Sequence, residues 1–283
     1  RRDSEGGALS VLAADCDESH ELVCECCTCC SSSCLIHDNS TAVSATLWLE
    51  KAGIDTTGRY GSSALQWLQG EALSETSPVK IIQRFVLATI YFATNGVEND
   101  NSNTMHSSFD KVFPSWNNVS LWLSAQDECD WFGVMCDVFG NVQGIDMRGN
   151  RITGSFPDEV KYLGKSLIYL DLSQNFLENN DNNLAWLGEL YRLEYLNLHS
   201  NYFEYEGFPN FLPTSLKTVD FSQNLFHGFI DGSAFQTLTN IEYLDVSGND
   251  YNSKVPDEIG QLSSLAYLYA VDSGLTGDLS FIG

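Results

Sequence analysis

The second half of the chain repeats itself. Val142-x-x-Ile145-x-Met147-x-x-Asn150-x-Ile152 opens a series that continues as Leu167-x-x-Leu170-x-Leu172-x-x-Asn175-x-Leu177 and Leu193-x-x-Leu196-x-Leu198-x-x-Asn201-x-Phe203. It goes on as Leu216-x-x-Val219-x-Phe221-x-x-Asn224-x-Phe226, Ile241-x-x-Leu244-x-Val246-x-x-Asn249-x-Tyr251 and Leu265-x-x-Leu268-x-Ala270-x-x-Ser273-x-Leu275. Successive rows start 23 to 26 residues apart. A unit this short cannot bury its own apolar face, so the rows must stack as coils of a solenoid and share one continuous core.

Within each row the apolar residues alternate with polar ones at period two, which predicts a short strand; stacking then places the strands side by side in a parallel sheet. Asn150, Asn175, Asn201, Asn224 and Asn249 follow the strand, where the backbone turns inward and loses its ladder partners. A carboxamide both donates and accepts, so these side chains are expected to form a ladder between neighbouring coils. Ser273 takes the sixth place, and the ladder is expected to weaken there. The period and the fixed Asn are those of a leucine-rich repeat. Gly154-Ser155-Phe156-Pro157, Gly207-Phe208-Pro209 and Lys254-Val255-Pro256, with Gly228 and Gly277 four residues after the Asn or Ser, resemble the plant-type class, which continues Leu-x-Gly-x-Ile-Pro. Row two lacks that element and row four reads Gly228-Phe229-Ile230-Asp231 without the Pro. The resemblance implies an α/β right-handed solenoid with its parallel sheet on the concave face.

On that face the variable strand positions meet solvent. We assign Gln143, Asp146 and Arg148 to row one, Tyr169, Asp171 and Ser173 to row two, and Tyr195, Asn197 and His199 to row three. Thr218, Asp220 and Ser222 follow, then Tyr243, Asp245 and Ser247, then Tyr267, Tyr269 and Asp272. Strands about 4.8 Å apart turn these into columns. Tyr169, Tyr195, Tyr243 and Tyr267 form one, broken by Thr218; Asp146, Asp171, Asp220 and Asp245 form another, with Asn197 between. Tyrosine supplies rigid contact area with a polar tip, which suits a binding face. The acidic column also matches ordinary repeat consensus, and His199 reads as a surface residue because no second His stands at ligand spacing.

The chain has 283 residues, 38 acidic against 14 basic, for a formal charge of −24. Such a polyanion is repelled by nucleic acid and by anionic membrane surfaces. Arg1-Arg2-Asp3-Ser4-Glu5 is not followed by the apolar run of a signal peptide, and the longest apolar run, residues 85–93, is too short for a bilayer. The last row stops at Gly283 without a closing segment, so we expect a piece of a longer product, any membrane attachment lying in segments absent from this chain.

Before the repeats, seven of the nine cysteines, Cys16, Cys24, Cys26, Cys27, Cys29, Cys30 and Cys34, crowd the first 34 residues. A disulfide-rich tail, a metal site of metallothionein-like density and a palmitoylated cluster are the competing readings. The segment resembles the cysteine-rich tail after the repeats of algal leucine-rich-repeat proteins. Leu47-Trp48-Leu49 and Ala64-Leu65-Gln66-Trp67-Leu68 predict short helices. Thr76-Ser77-Pro78 predicts a helix start, and Val79, Ile82, Phe85, Val86, Thr89 and Ile90 form one face of a helix over 78–93, with Lys80, Gln83 and Arg84 opposite. Residues 95–108 are Asn-rich and predict a loop. Trp122-Leu123 followed by Cys129-Asp130-Trp131-Phe132-Gly133-Val134-Met135-Cys136 resembles the cap before the repeats of plant extracellular leucine-rich-repeat domains. By that resemblance Cys129 and Cys136 are bonded, which implies an oxidising compartment. Asn39-Ser40-Thr41 and Asn118-Val119-Ser120 are glycosylation sequons.

We therefore divide the chain into a Cys-rich irregular segment (1–40), a connector with short helices (41–78), a helical disulfide cap (79–140) and about six repeats (141–283). His-Glu-x-x-His, Gly-x-Ser-x-Gly, phosphate-loop and kinase motifs are all missing. The reading is a non-enzymatic module without a cofactor or metal of its own, receptor-like or secreted, extracellular or at the cell surface. It would bind a protein, peptide or glycan on the concave face, in signalling or defence. A structural or adhesive surface protein and a metal-handling protein built on the N-terminal cysteines are the alternatives.

Overall fold

The computed structural model describes residues 41–71, 77–94, 116–179 and 183–277, side chains of 41–44 excepted. The cysteine cluster, the Asn39 sequon and the 95–108 stretch lie outside the described residues. Those described fall in one compact unit, Thr41–Gly283.

Three helices come first: α1 (Thr41–Lys51), α2 (Arg59–Gly70) and α3 (Pro78–Thr94). Ser77 starts α3 by accepting the Lys80 N–H on its hydroxyl (3.3 Å), and Pro78 occupies the first turn, where no N–H is needed. The one-sided amphipathic helix expected from the sequence is corrected here. Gln83, Arg84, Ile81 and Leu87 are buried with Phe85 and Ile90, while Val79 is half exposed. The reason is position: α3 packs on α1 and α2 on one side and on the first coil on the other. Residues 41–71 contribute Leu49, Ile54, Ala64 and Leu68 to the same hydrophobic core as α3, Trp122, Trp131 and the coils.

Burying Arg84 requires partners. Its guanidinium lies 5.2 Å and 5.1 Å from the Trp67 and Trp131 ring centroids. It donates to the Ser124 and Gln126 carbonyls and faces the buried Glu128 carboxylate at 3.4 Å. Glu128 also receives Lys80 (3.2 Å) and Gln83 (2.9 Å). Gln83 then accepts the Val142 N–H on its Oε1 (3.0 Å), which joins the helix to the first repeat strand. Cys129 and Cys136 are disulfide-bonded with Cα atoms 5.5 Å apart. Gly133, between them, has φ +77°, and a Cβ there would collide with the Asp146 carbonyl.

Strands follow in two sets. β1 (Val134–Cys136) pairs antiparallel with β2 (Val142–Asp146). β3 (Thr153–Ser155) leads to β4 (Tyr169–Asp171), β5 (Phe176–Glu178), β6 (Tyr195–Asn197), β7 (Glu204–Glu206) and β8 (Thr218–Asp220). β9 (Leu225–Gly228), β10 (Tyr243–Asp245), β11 (Asp250–Tyr251), β12 (Ser253–Lys254), β13 (Tyr267–Tyr269) and β14 (Leu275–Thr276) complete the series. The principal sheet runs β1-β2-β4-β6-β8-β10-β13, parallel from β2 onward. Short ladders β3-β5, β7-β9-β11 and β12-β14 form beyond the Asn positions, a second set the sequence pattern does not announce. Short 3-10 helices close the coils. Pro157 and Pro256 precede two of them, and in row four, which lacks the Pro, the Asp231 carboxylate caps the helix by accepting from the Ser233 N–H. This is the leucine-rich-repeat solenoid.

The Asn side chains tie coil to coil. Asn201 donates to Leu172 O of the coil before (2.9 Å) and to Leu198 O and His199 O of its own, while its Oδ1 accepts the Leu177 N–H (2.9 Å). Asn175, Asn224 and Asn249 repeat the pattern, and Asn150 exchanges bonds with the Asn118 backbone in the cap. Ser273 bonds Ala270 O and Leu275 N, both in its own coil. The residue before each of the six positions is left-handed: Gly149, Gln174, Ser200, Gln223, Gly248 and Asp272, at φ +51° to +63°.

Two stability measurements check these roles. Asn201→Ala leaves buried groups unpaired and should lower the urea unfolding free energy by at least about 1–3 kcal/mol, well beyond Ser273→Ala. Glu128→Ala leaves Arg84 with only Glu71, at 3.6 Å, and the two carbonyls, and should cost about 1–3 kcal/mol; no measurable loss would show that water reaches the cluster.

Candidate functional site

The concave face is built from the outward residues of the parallel strands. Register places Gly144, Tyr169, Tyr195, Thr218, Tyr243 and Tyr267 in one row across the sheet. Asp146, Asp171, Asn197, Asp220, Asp245 and Tyr269 form the next. Two of the expected positions are corrected. With Asp146 outward, strand alternation makes Gly144 outward too, so Gln143 falls out of the column and donates instead to the Cys136 carbonyl. In the last row Val271 follows Tyr269 outward, and Asp272 is spent on the left-handed turn.

The tyrosines form two groups. The Tyr169 and Tyr195 rings stack with centroids 4.4 Å apart and planes 6° from parallel. Tyr243 lies 6.3 Å from Tyr267 and 5.6 Å from Tyr269, both tilted. Thr218 is too short to bridge them, and the gap is a notch of about 390 Å³ between Tyr195 and Tyr243. Asn197, Asp220, Glu242, Ala266 and Tyr267 complete its lining. The missing tyrosine at 218 was visible in the sequence; Glu242, at a position outside the repeat pattern, was not.

The acidic column does structural work. Each member accepts the N–H two residues on: Asp146 from Arg148, Asp171 from Ser173, Asn197 from His199, Asp220 from Ser222, Asp245 from Ser247. These turns end the strands. Asp171, expected as a ligand contact, is fully buried; it receives the Tyr169 hydroxyl and lies 3.8 Å from the Arg148 guanidinium. Asp220 and Asp245 stay half-buried, and Asp220 lines the notch. Tyr243 donates to Asp245 (3.4 Å); burial, then the Asp245 and Asp220 charges, push its phenol up to about 12. Burial likewise raises Tyr169, with Asp171 adding to it.

His199 Nδ1 meets the Ser222 hydroxyl at 2.8 Å, and that hydroxyl donates to Asp220. The order His–Ser–Asp directs the serine proton to the carboxylate. A hydrolytic triad needs the histidine in the middle, taking that proton. Among the described residues no three or more His, Cys, Asp or Glu side chains are grouped to hold a metal ion, and no helix is long and apolar enough to cross a membrane. Asn118 is half-buried, its Oδ1 accepting the Ser120 N–H of its own sequon.

No family model matches the chain. It is 30% identical over 177 residues to the receptor protein-tyrosine kinase CEPR1 of Arabidopsis thaliana, a match covering 62% of this chain and 18% of that protein. It is also 30% identical over 186 residues to the receptor-like protein EIX1 of Solanum lycopersicum, over 57% of this chain and 17% of that one. The chain therefore spans less than a fifth of the length of these curated relatives. Among solved structures, the BIR3–SERK2 complex from Arabidopsis thaliana aligns with a TM-score of 0.50 at 20% identity, over 69% of this chain and 95% of that chain, and shares its fold. The fold and the relatives together make the chain similar to plant receptor-like leucine-rich-repeat proteins.

The half-buried Asp220 supplies a test of the notch. Burial raises its pKa; the Ser222 bonds oppose the shift and Asp245 reinforces it. The folded state thus holds this proton more tightly than the unfolded chain. The associated stability is present below the ordinary carboxylate value and lost as pH rises through the folded one. Asp220→Asn keeps the acceptor for Ser222 and should raise Tm at pH 7, with the gain vanishing as the pH falls below the ordinary carboxylate range in a calorimetric series.

Proposed function

We propose that the chain is a non-enzymatic recognition module of a receptor-like protein that binds an extended peptide or protein segment along its concave face, outside the cell. The notch at Thr218 carries the reading. It is a discrete, tyrosine-walled recess on a rigid sheet, and its volume falls in the range of about 300–1,000 Å³ typical of ligand sites. Tyr195 and Tyr243 flank it, half-buried and held from behind by Asn197 and Asp245, so little side-chain freedom is lost on binding. The likeness to plant receptor proteins supports the receptor-like part. The Cys129–Cys136 bond and the Asn118 sequon support an oxidising, glycosylating compartment.

Phage-displayed random peptides about a dozen residues long, panned on the whole chain, provide the test. Enriched peptides should lose at least about tenfold in affinity when Tyr195 and Tyr243 are both changed to alanine, with the melting transition intact, and a similar amount with Thr218→Tyr, which fills the recess. Peptides that bind both variants as tightly as the parent would place recognition elsewhere.

A further inference from the structure

We propose, resting on the concave-face reading above, that the notch takes one cationic side chain, an arginine or lysine of the bound peptide, with its stem against the Tyr195 and Tyr243 rings and its charge directed to Asp220 and Glu242.

The molecule carries its own template for this arrangement. At the other end of the face Arg148 pairs with Asp146 (3.0 Å) and Asp171 (3.8 Å), within electrostatic reach of Tyr169 and Tyr195. Two acids of the column there hold an arginine beside a tyrosine pair. Asp220 and Asp245 stand two and three strands further on, in the same column and beside tyrosines again, but the Arg148 position is Ser222 and Ser247 in their rows. Among the described residues no Lys or Arg forms an ion pair with Asp220, Asp245 or Glu242. Lys217 pairs with Glu194 at 2.6 Å and acts on Glu242 only through space, and His199 reaches Asp220 through the Ser222 hydroxyl. Both Ser222 bonds fall on Asp220 Oδ1, so Oδ2 has no donor among the described residues.

A half-buried carboxylate with a bare oxygen costs solvation that a cation restores. Aromatic faces beside it attract the same group. Asp220 and Glu242 make the recess too negative for an acidic anchor, and a chain of charge −24 draws basic segments from solution.

The enriched peptides described above are resynthesised with each arginine replaced by citrulline and each lysine by norleucine. One replacement should lower affinity at least about tenfold, as should the Asp220→Asn/Glu242→Gln variant. On that variant the charged and neutral peptides should bind alike, so that the two effects do not add. Affinity for the charged peptide should also fall with salt. Peptides that need Tyr195 and Tyr243 yet tolerate every neutral replacement would overturn the cationic anchor and leave the recognition face standing. Peptides indifferent to the tyrosines, or no enrichment at all, would count against the recognition face and the anchor together.

Discussion

A coil that turns into its own core leaves backbone N–H and C=O groups where no strand or water can reach them, and the architecture depends on how they are satisfied. Here one carboxamide per coil does it. Asn175 accepts the Asn150 and Ile152 N–H groups and donates to Met147 O, Leu172 O and Ser173 O, five bonds from one side chain. Three of those bonds reach the preceding coil. The requirement sets the spacing of the rows, because the Asn must arrive at the same depth each time. It also explains the left-handed residue just before it, which swings the side chain inward.

The concave face follows from the same geometry. Strands of three residues in register carry their outward side chains in straight columns, so a tyrosine repeated in the sequence becomes a stack and a threonine becomes a hole. The acids beside them first close the strand by capping the following N–H. Whatever charge remains for a ligand is what that cap leaves over, and it differs along the column: nothing at the buried Asp171, one bare oxygen at Asp220.

The parts of this structure legible in the sequence are those fixed by period: the six strands, the inward apolar positions, the Asn series and the gap at Thr218. Period also gives the means to place Gly144 and Val271, since outward residues must lie two apart; assigning Gln143 and Asp272 departed from that rule. Other features depend on neighbours distant in the chain. Gln83 and Arg84 look like a solvated helix face until the Trp67 and Trp131 rings and Glu128, far along the chain, close over them. Asp171 looks like its column mates until Arg148 and Tyr169 cover it. The second set of ladders beyond the Asn positions has no side-chain alternation of its own, because its strands are two to four residues long and irregular in sequence.

The direction of the carboxamide bonds has a mechanical meaning. Each Asn fastens its coil to the one before, and the first fastens to Asn118, so the coils hang in series from the cap. The sixth has a serine in that place that bonds only within its own coil, and it is held to its neighbour by backbone pairing and by the Ser247 and Thr276 hydroxyls in place of the Asn tie. In a stack whose stability is a sum of nearest-neighbour interfaces, the junction of the fifth and sixth coils lacks a contribution that those before it carry. The concave notch, lined from the third coil to the sixth, spans that junction, so a segment seated in it would brace the one junction that lacks the Asn tie.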